Sequence, residues 1–444
     1  MLEPMSAPPA RKSLHVLLPT LGSAGDVHPF IALGLALRAR GHRATLITNP
    51  FFEALITDLG LEFLPVGTIA DAESAMADPD LWHPRRGFNV VARRVIIPAI
   101  PAVYRLIERH ASAATVVAAS SISFGARLAQ ERLGVPTASV HLQPAVIRSL
   151  IDQGMAGNVR ISPSQPMWFK RAFFRLADWA AIDRRLAPPL NDFRATLGLA
   201  PVRRVLRQWI HSPDCVIAFF PPWFAAPQPD WPPHVHLVGF PLWDGGFAIA
   251  PVPAEVTRFL DAGEPPVLVT PGSAASTMGR YFSESVAAVR RVGMRAMLVT
   301  NFPQQLPREL PAGVDAFGYV PFSAVLPRVA LIVYHGGIGT LAQAIAAATP
   351  HLVVPSGHDQ FDNAWRIERL GLGRCIPQAQ FRAARAVAMI DAIRADTGMR
   401  QRAAAQAGLM DPTGAVARAC ELVEALARTS RTHGGYLAEQ PPSP

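Results

Sequence analysis

Ala330-Leu331-Ile332-Val333-Tyr334-His335-Gly336-Gly337-Ile338-Gly339-Thr340 is the stretch on which the fold turns. Its first five residues form a short apolar run with β-branched members, the pattern of a buried strand. The run ends at a cluster of glycines, and a helix-forming segment, Leu341 to Ala348, follows at once. Pro350 stops that helix, a second apolar strand spans His351 to Val354, and Ser356-Gly357-His358-Asp359-Gln360 comes next. Glycines between a strand end and a helix start let the backbone approach a phosphate closely. Free N–H groups and the positive end of the helix dipole then face the anion. His335 adds a side-chain donor, and Asp359 and Gln360 offer what sugar hydroxyls require. These residues predict a nucleotide-sugar diphosphate site.

Strand and helix also alternate elsewhere. Leu14 to Leu18 reads as a buried strand, followed by the loop Pro19 to His28, and Pro29 sits in the first turn of a helix running to Gly41. Arg11-Lys12 before that apolar run superficially resembles a signal peptide, but Pro19, Gly22 and Asp26 break it, which favours a first strand. Further strands are expected at 43–48, 61–65, 114–117, 136–140, 267–270, 296–299 and 313–317. Such alternation implies α/β architecture with parallel sheets. Residues 221–266 carry eleven prolines, the best boundary in the chain. The expected organisation is a loose terminus at 1–12, an N-terminal domain at 13–225, a linker at 226–266 and a C-terminal domain at 267–410. A helix at 411–428 packs back across the domains, and a disordered tail occupies 429–444.

With 444 residues, half of them apolar, two domains with sizeable cores are expected. No apolar run is long enough to span a bilayer. The three cysteines, Cys215, Cys375 and Cys420, have neither metal spacing nor a disulfide pattern, which points to a reducing, cytoplasmic setting. Net charge is +9, and all basic residues but Lys12 and Lys170 are arginines. That charge suits an anionic substrate or the inner membrane surface. No arginine block or aromatic-basic module indicates nucleic acid.

Two stretches, 82–110 and 168–194, mix arginines with apolar and aromatic residues. They read either as helices packed on the sheet with solvated arginine faces, or as an acceptor cleft or membrane-surface contact.

Taken together, Gly22-Ser23-Ala24-Gly25-Asp26-Val27-His28-Pro29 and the His335 stretch ending at Asp359-Gln360-Phe361-Asp362-Asn363 resemble the GT-B glycosyltransferases of family 1, over about 13–428. The resemblance implies two Rossmann-like, doubly wound domains facing across a cleft, the first binding acceptor and the second nucleotide sugar. It implies an inverting, metal-independent reaction with no cofactor beyond the nucleotide-sugar co-substrate. By position it makes Asp26 the catalytic base, with His28 as rival. Tyr319 stacks on the nucleobase, which pairs with the Val320 backbone. Ser273, His335, Gly337, Ile338, Gly339 and Thr340 line the diphosphate, and Asp359 and Gln360 address the sugar. Gln343 stands where many relatives have a ribose-clamping glutamate, which is compatible with a dTDP-sugar. His141, Gln143, Phe169 and Phe173 are expected in the acceptor site.

Asp78-Pro79-Asp80-Leu81-Trp82, Gln208 to Pro213, Asp230-Trp231-Pro232 and Gly239-Phe240-Pro241-Leu242 look like the rhamnosyltransferases of rhamnolipid synthesis. That likeness implies transfer of L-rhamnose from dTDP-L-rhamnose to an amphipathic lipid, a 3-(3-hydroxyalkanoyloxy)alkanoate. It also implies a partner enzyme that makes the acceptor, and peripheral contact with the inner membrane. The alternatives are a sterol- or macrolide-type glucosyltransferase using UDP-glucose, a GT-B epimerase, a non-catalytic lipid-carrier homologue and an NAD-dependent oxidoreductase. Asp78-Pro79-Asp80 has the spacing of a metal-binding Asp-x-Asp but reads better as a stiff turn. His234 and His236 lack a third ligand nearby.

Overall fold

A computed structural model of the protein describes residues 13–245, 252–275 and 278–432. The expectations for 1–12 and 433–444 lie outside those residues. Among the described residues the chain forms two parallel sheets. The first contains β1 (His15–Pro19), β2 (Arg43–Thr48), β3 (Glu62–Pro65), β4 (Thr115–Ser120) and β5 (Thr137–His141). A small antiparallel hairpin, β6 (Gly154–Ala156) and β7 (Val159–Ile161), precedes its last two strands, β8 (Cys215–Ala218) and β9 (Val235–Leu237). The second sheet contains β10 (Val267–Thr270), β11 (Ala296–Val299), β12 (Val314–Phe317), β13 (Leu331–Tyr334), β14 (His351–Val353) and β15 (Gly373–Cys375).

Strand order is β3-β2-β1-β4-β5-β8-β9 in one sheet and β12-β11-β10-β13-β14-β15 in the other. Each order reverses once, between β1 and β4 and between β10 and β13. Crevices for ligands open at the carboxyl ends of strands at such switch points. The loops after β1, β10 and β13 all start there. The central strands β1, β4, β5, β8, β10, β11, β13 and β14 are buried along their whole length, as a sheet covered by helices on both faces requires.

The proline-rich segment is not structureless. β9 adds a seventh strand to the first sheet, and a helix at Ala254–Asp261 precedes the second domain. The last helix spans Pro412–Thr432, so 429–432 continue it. That helix packs against the Ala24–Ala39 helix and against β4, β5 and β8, all in the first domain. Glu424 anchors it: its carboxylate accepts from Arg40 Nε at 2.7 Å and pairs with His42 Nε2 at 3.1 Å. The Glu424 side chain is 7% exposed. Glu424→Ala would leave the His42 and Arg40 donors facing a partly dry gap. The expected result is a loss of about 3 kcal/mol, read as a lower unfolding temperature by calorimetry, with KM for the donor unchanged. No helix among the described residues is long and apolar enough to cross a membrane.

Candidate active site

The loop after β1 sets the first half of the site. Gly22 has φ +126°, and a Cβ there would fall 2.7 Å from Cγ of Asp26. Glycine therefore lets the Asp26 side chain fold back onto its own loop. Its Oδ2 accepts from Ser23 N at 2.8 Å and Ser23 Oγ at 3.1 Å, within the first turn of the Ala24–Ala39 helix. Burial pushes the Asp26 carboxyl up to about 6, the Ser23 N–H opposes that shift, and the neighbouring Asp359 carboxylate adds to it. His28, two residues on, is pulled down to about 4 by burial, and its ring bonds to the Trp243 backbone. The ring also stands edge-on to Trp243, with centroids 4.8 Å apart. His28 thus presents a neutral ring on the cleft wall.

The second half is built on the opposite domain. The His335 ring lies between two glycines: a Cβ on Gly272 would sit 2.6 Å from its Cε1, and one on Gly337 would overlap its Nε2. Its Nδ1 is buried with no hydrogen-bond partner, and burial pulls the imidazole down to about 4. A neutral ring can still donate one N–H to a diphosphate. Gly336, at φ +91°, turns the chain beside Val353 into the Ile338–Ala346 helix. Gly339 faces Gly25 of the first loop closely, since a Cβ on it would be 3.5 Å from Gly25 Cα. The two glycine turns therefore meet across the cleft.

Asn363 ties the sugar-side loop to this turn: its Nδ2 donates to Gly336 O at 2.9 Å and to Asp359 Oδ2 at 2.7 Å. Burial pushes Asp359 up to about 6. His358 holds φ +54° and bridges to the first domain through Leu81 O at 2.9 Å.

A cavity of about 1670 Å³ joins these parts. Asp26, His28, Gln143, Phe173, Ser273, Tyr319, His335, Gly337, Ile338, Gly339, Thr340, Asp359 and Gln360 all line it. Tyr319 presents a 56% exposed ring while its hydroxyl donates to Asp244 O. Val320 lies behind it, with its side chain in the core.

Four expectations change. His141 is wholly buried and shares a hydrogen bond with His211 Nδ1 at 2.9 Å, so it does not reach the acceptor. Strand alternation turns it away, and the chain beyond it brings Gln143 to the cleft. Phe169 stacks on Phe173 at 6.2 Å but stays outside the cavity, because it sits one turn nearer the rim. Gln343 lies a helical turn beyond Thr340 and outside the lining. The Gln360 side-chain oxygen is taken by Ser356 N and Oγ, both at 2.9 Å, so only its amide N–H groups remain for a sugar.

The sequence reading missed Trp82. It comes from the first domain, lines the cavity, and stands edge-on to His335 and His358 at 6.4 and 5.4 Å. Its indole N–H is buried without a hydrogen-bond partner. Arg148 was also missed; it lies 4.6 Å over the Phe174 ring on the cavity wall. Asp78 and Asp80 are held by Arg94 and Arg86, as a structural turn would be.

Two α/β domains with parallel sheets, meeting at a cavity between their glycine turns, are the architecture of the GT-B glycosyltransferases. Residues 16–149 match the glycosyltransferase family 28 N-terminal domain, and 287–426 match the erythromycin biosynthesis protein CIII-like C-terminal domain. The chain is 30% identical over 433 residues to O-mycaminosyltylonolide 6-deoxyallosyltransferase of Streptomyces fradiae, covering 94% of this chain and 99% of that one. The glycotransferase of kitacinnamycin superposes with a TM-score of 0.69 at 20% identity, covering 94% of this chain and all of that one. Spinosyn rhamnosyltransferase SpnG superposes with a TM-score of 0.64 at 20% identity, covering 92% and 100%. The protein belongs to the GT-B glycosyltransferases, hexosyl-transferring enzymes that use a nucleotide sugar.

Proposed function

We propose that this enzyme moves L-rhamnose, with inversion, from dTDP-L-rhamnose to the hydroxyl of a lipid such as a 3-(3-hydroxyalkanoyloxy)alkanoate, giving a mono-rhamnolipid. The observation that carries this reading is the first-domain wall of the cavity. Val91, Val95, Ile96, Phe173, Phe174 and Ile182 make it apolar, and Arg148 and Arg185 are set into it. An acyl chain fits the first group; Arg148 pairs with Asp178, so an acceptor carboxylate would meet Arg185. Two segments of that wall, Ala92–Ile96 and Asp178–Asp183, widen to an i→i+5 hydrogen-bond pattern, a form often found at functional sites. The S. fradiae relative is named for transfer of a 6-deoxyhexose, and rhamnose is a 6-deoxyhexose.

In this reading the Asp26 carboxylate takes the acceptor hydroxyl proton while the oxygen attacks the anomeric carbon. The bond from that carbon to the diphosphate oxygen breaks. The departing charge is met by the N-terminus of the Ile338–Ala346 helix, by Thr340 and Ser273, and by the neutral His335 N–H. Asp359 and Gln360 hold the sugar hydroxyls. Burial, with Asp359 nearby adding to it, keeps Asp26 basic enough to act near neutral pH.

Mass spectrometry of products from dTDP-L-rhamnose and from UDP-glucose, each offered with hydroxyacyl esters, tests the reading. The rhamnoside of the hydroxyacyl ester is expected to dominate. Glucose transfer alone, or transfer only to polycyclic acceptors, would replace it with the sterol- or macrolide-type reading.

A further inference from the structure

Resting on the lipid-acceptor reading above, we propose that the outward face of the Met167–Ala177 helix docks the enzyme on an anionic lipid bilayer at the mouth of the cleft. Seven of the eleven large apolar side chains exposed among the described residues fall between Ile151 and Trp179. Such clustering marks a contact surface rather than scattered exposure. Trp168, Leu176 and Trp179 are 71%, 62% and 57% exposed. Trp168, Ala172 and Leu176 follow one another at every fourth residue and form a single stripe, which Trp179 extends on the widened turn that follows.

The charge beside the stripe has one sign. Arg171 and Arg175 are exposed next to it, and the Arg184 guanidinium lies 5.5 Å from the Trp179 ring. The acids of this segment are engaged elsewhere. Asp152 pairs with Arg369 at 3.0 Å, Asp178 pairs with Arg148, and Asp183 accepts from Arg204 N at 2.9 Å and Val205 N at 3.1 Å. Aromatics flanked by arginines match the headgroup zone of an anionic bilayer. A second copy would bring like charges together. Buried Lys170 donates to Pro163 O at 3.1 Å, which ties the helix to the segment after β7. The opposite side of this helix carries Phe173, Phe174 and Ala177 into the cavity. An acyl chain leaving the bilayer would have one helix width to cross.

The test sediments the full chain with vesicles of phosphatidylethanolamine and phosphatidylglycerol, and separately with phosphatidylcholine alone, neither containing acceptor. The anionic vesicles should bind at least about tenfold more tightly, and salt should weaken that binding. The triple variant Trp168→Ser, Leu176→Ser, Trp179→Ser should lose about tenfold or more, while keeping turnover of a short, water-soluble acceptor. Arg171→Gln with Arg175→Gln should remove the preference for anionic vesicles. Equal binding to both vesicle types, no binding by the wild type, or a dimer that the triple variant dissolves would each overturn the docking surface. Vesicle binding without any lipid product would overturn the lipid-acceptor reading alone. Lipid product without vesicle binding would overturn only the surface.

Discussion

Asp26→Asn is expected to lower turnover by about 10²–10⁴ while leaving donor affinity intact, the usual scale for loss of a general base. The geometry makes the test a clean one. Asparagine keeps the size of the side chain and can still accept from Ser23 N, so the loop after β1 should keep its shape. The pH dependence supplies a second readout. The folded carboxyl titrates at about 6 rather than at its ordinary 3.8. As pH falls through 6 it gains a proton and ceases to be a base, so wild-type kcat/KM should drop about tenfold per unit below that point, and the Asp26→Asn substitution should abolish this limb. Stability should move the other way. A carboxyl whose folded pKa lies above its unfolded value costs stability as pH rises from about 4 to 6, and that cost persists above it. Asp26→Asn should therefore gain about 3 kcal/mol at pH 8, a gain that shrinks below 6 and vanishes near 4. Near-normal turnover would instead move the role to His28, whose ring is held by Trp243 and kept neutral by burial.

Gly337→Ala should cost about 10²–10³ in turnover, as much as His335→Ala, the scale of a lost oxyanion-type donor. The backbone at Gly337 has φ −63°, which alanine adopts without strain. The added methyl would nevertheless overlap the His335 ring, and Gly272 closes the ring's other side. The ring cannot rotate away without leaving the diphosphate position. The double variant should be no slower than either single one, because both remove the same donor. Titration of dTDP by calorimetry should show the same weakening in all three. Gly337→Ala turnover within threefold of wild type would mean that His335 is not at the leaving group.

The sheets were legible because buried parallel strands write themselves as nearly unbroken apolar runs: β13 does so in full, and β1 and β10 but for His15 and Thr270 at their ends. That Asp26 and His335 line one cavity was legible because each follows closely on a strand end, at the switch point of its sheet. What escaped depends on distant partners. Nothing near Trp82 in sequence reveals that its indole faces His335, since the two are brought together only by closure of the domains. His141 misled because a strand-end histidine looks functional until its register is known. Phe169 and Phe173 share a helix face by spacing, yet the rim of the cavity falls between them. The 168–194 stretch held two readings, and the structure divides them: Phe174 and Leu186 pack inward, while Trp168 and Trp179 do not. The β9 strand hid among prolines that favour loops, because an edge strand tolerates such flanks.

The final helix has a bearing on recombination between related enzymes. It follows the second domain in sequence but rests on the first, where Glu424 grips Arg40 and His42. A hybrid that takes its donor half from a relative through to the last residue would import a helix fitted to a foreign seat. Splicing should therefore occur twice, once in the proline-rich segment and again near Asp411, so that residues 412–432 travel with the half they sit on. A single crossover would swap the sugar-binding residues and at the same time break the clasp that keeps the two halves in register.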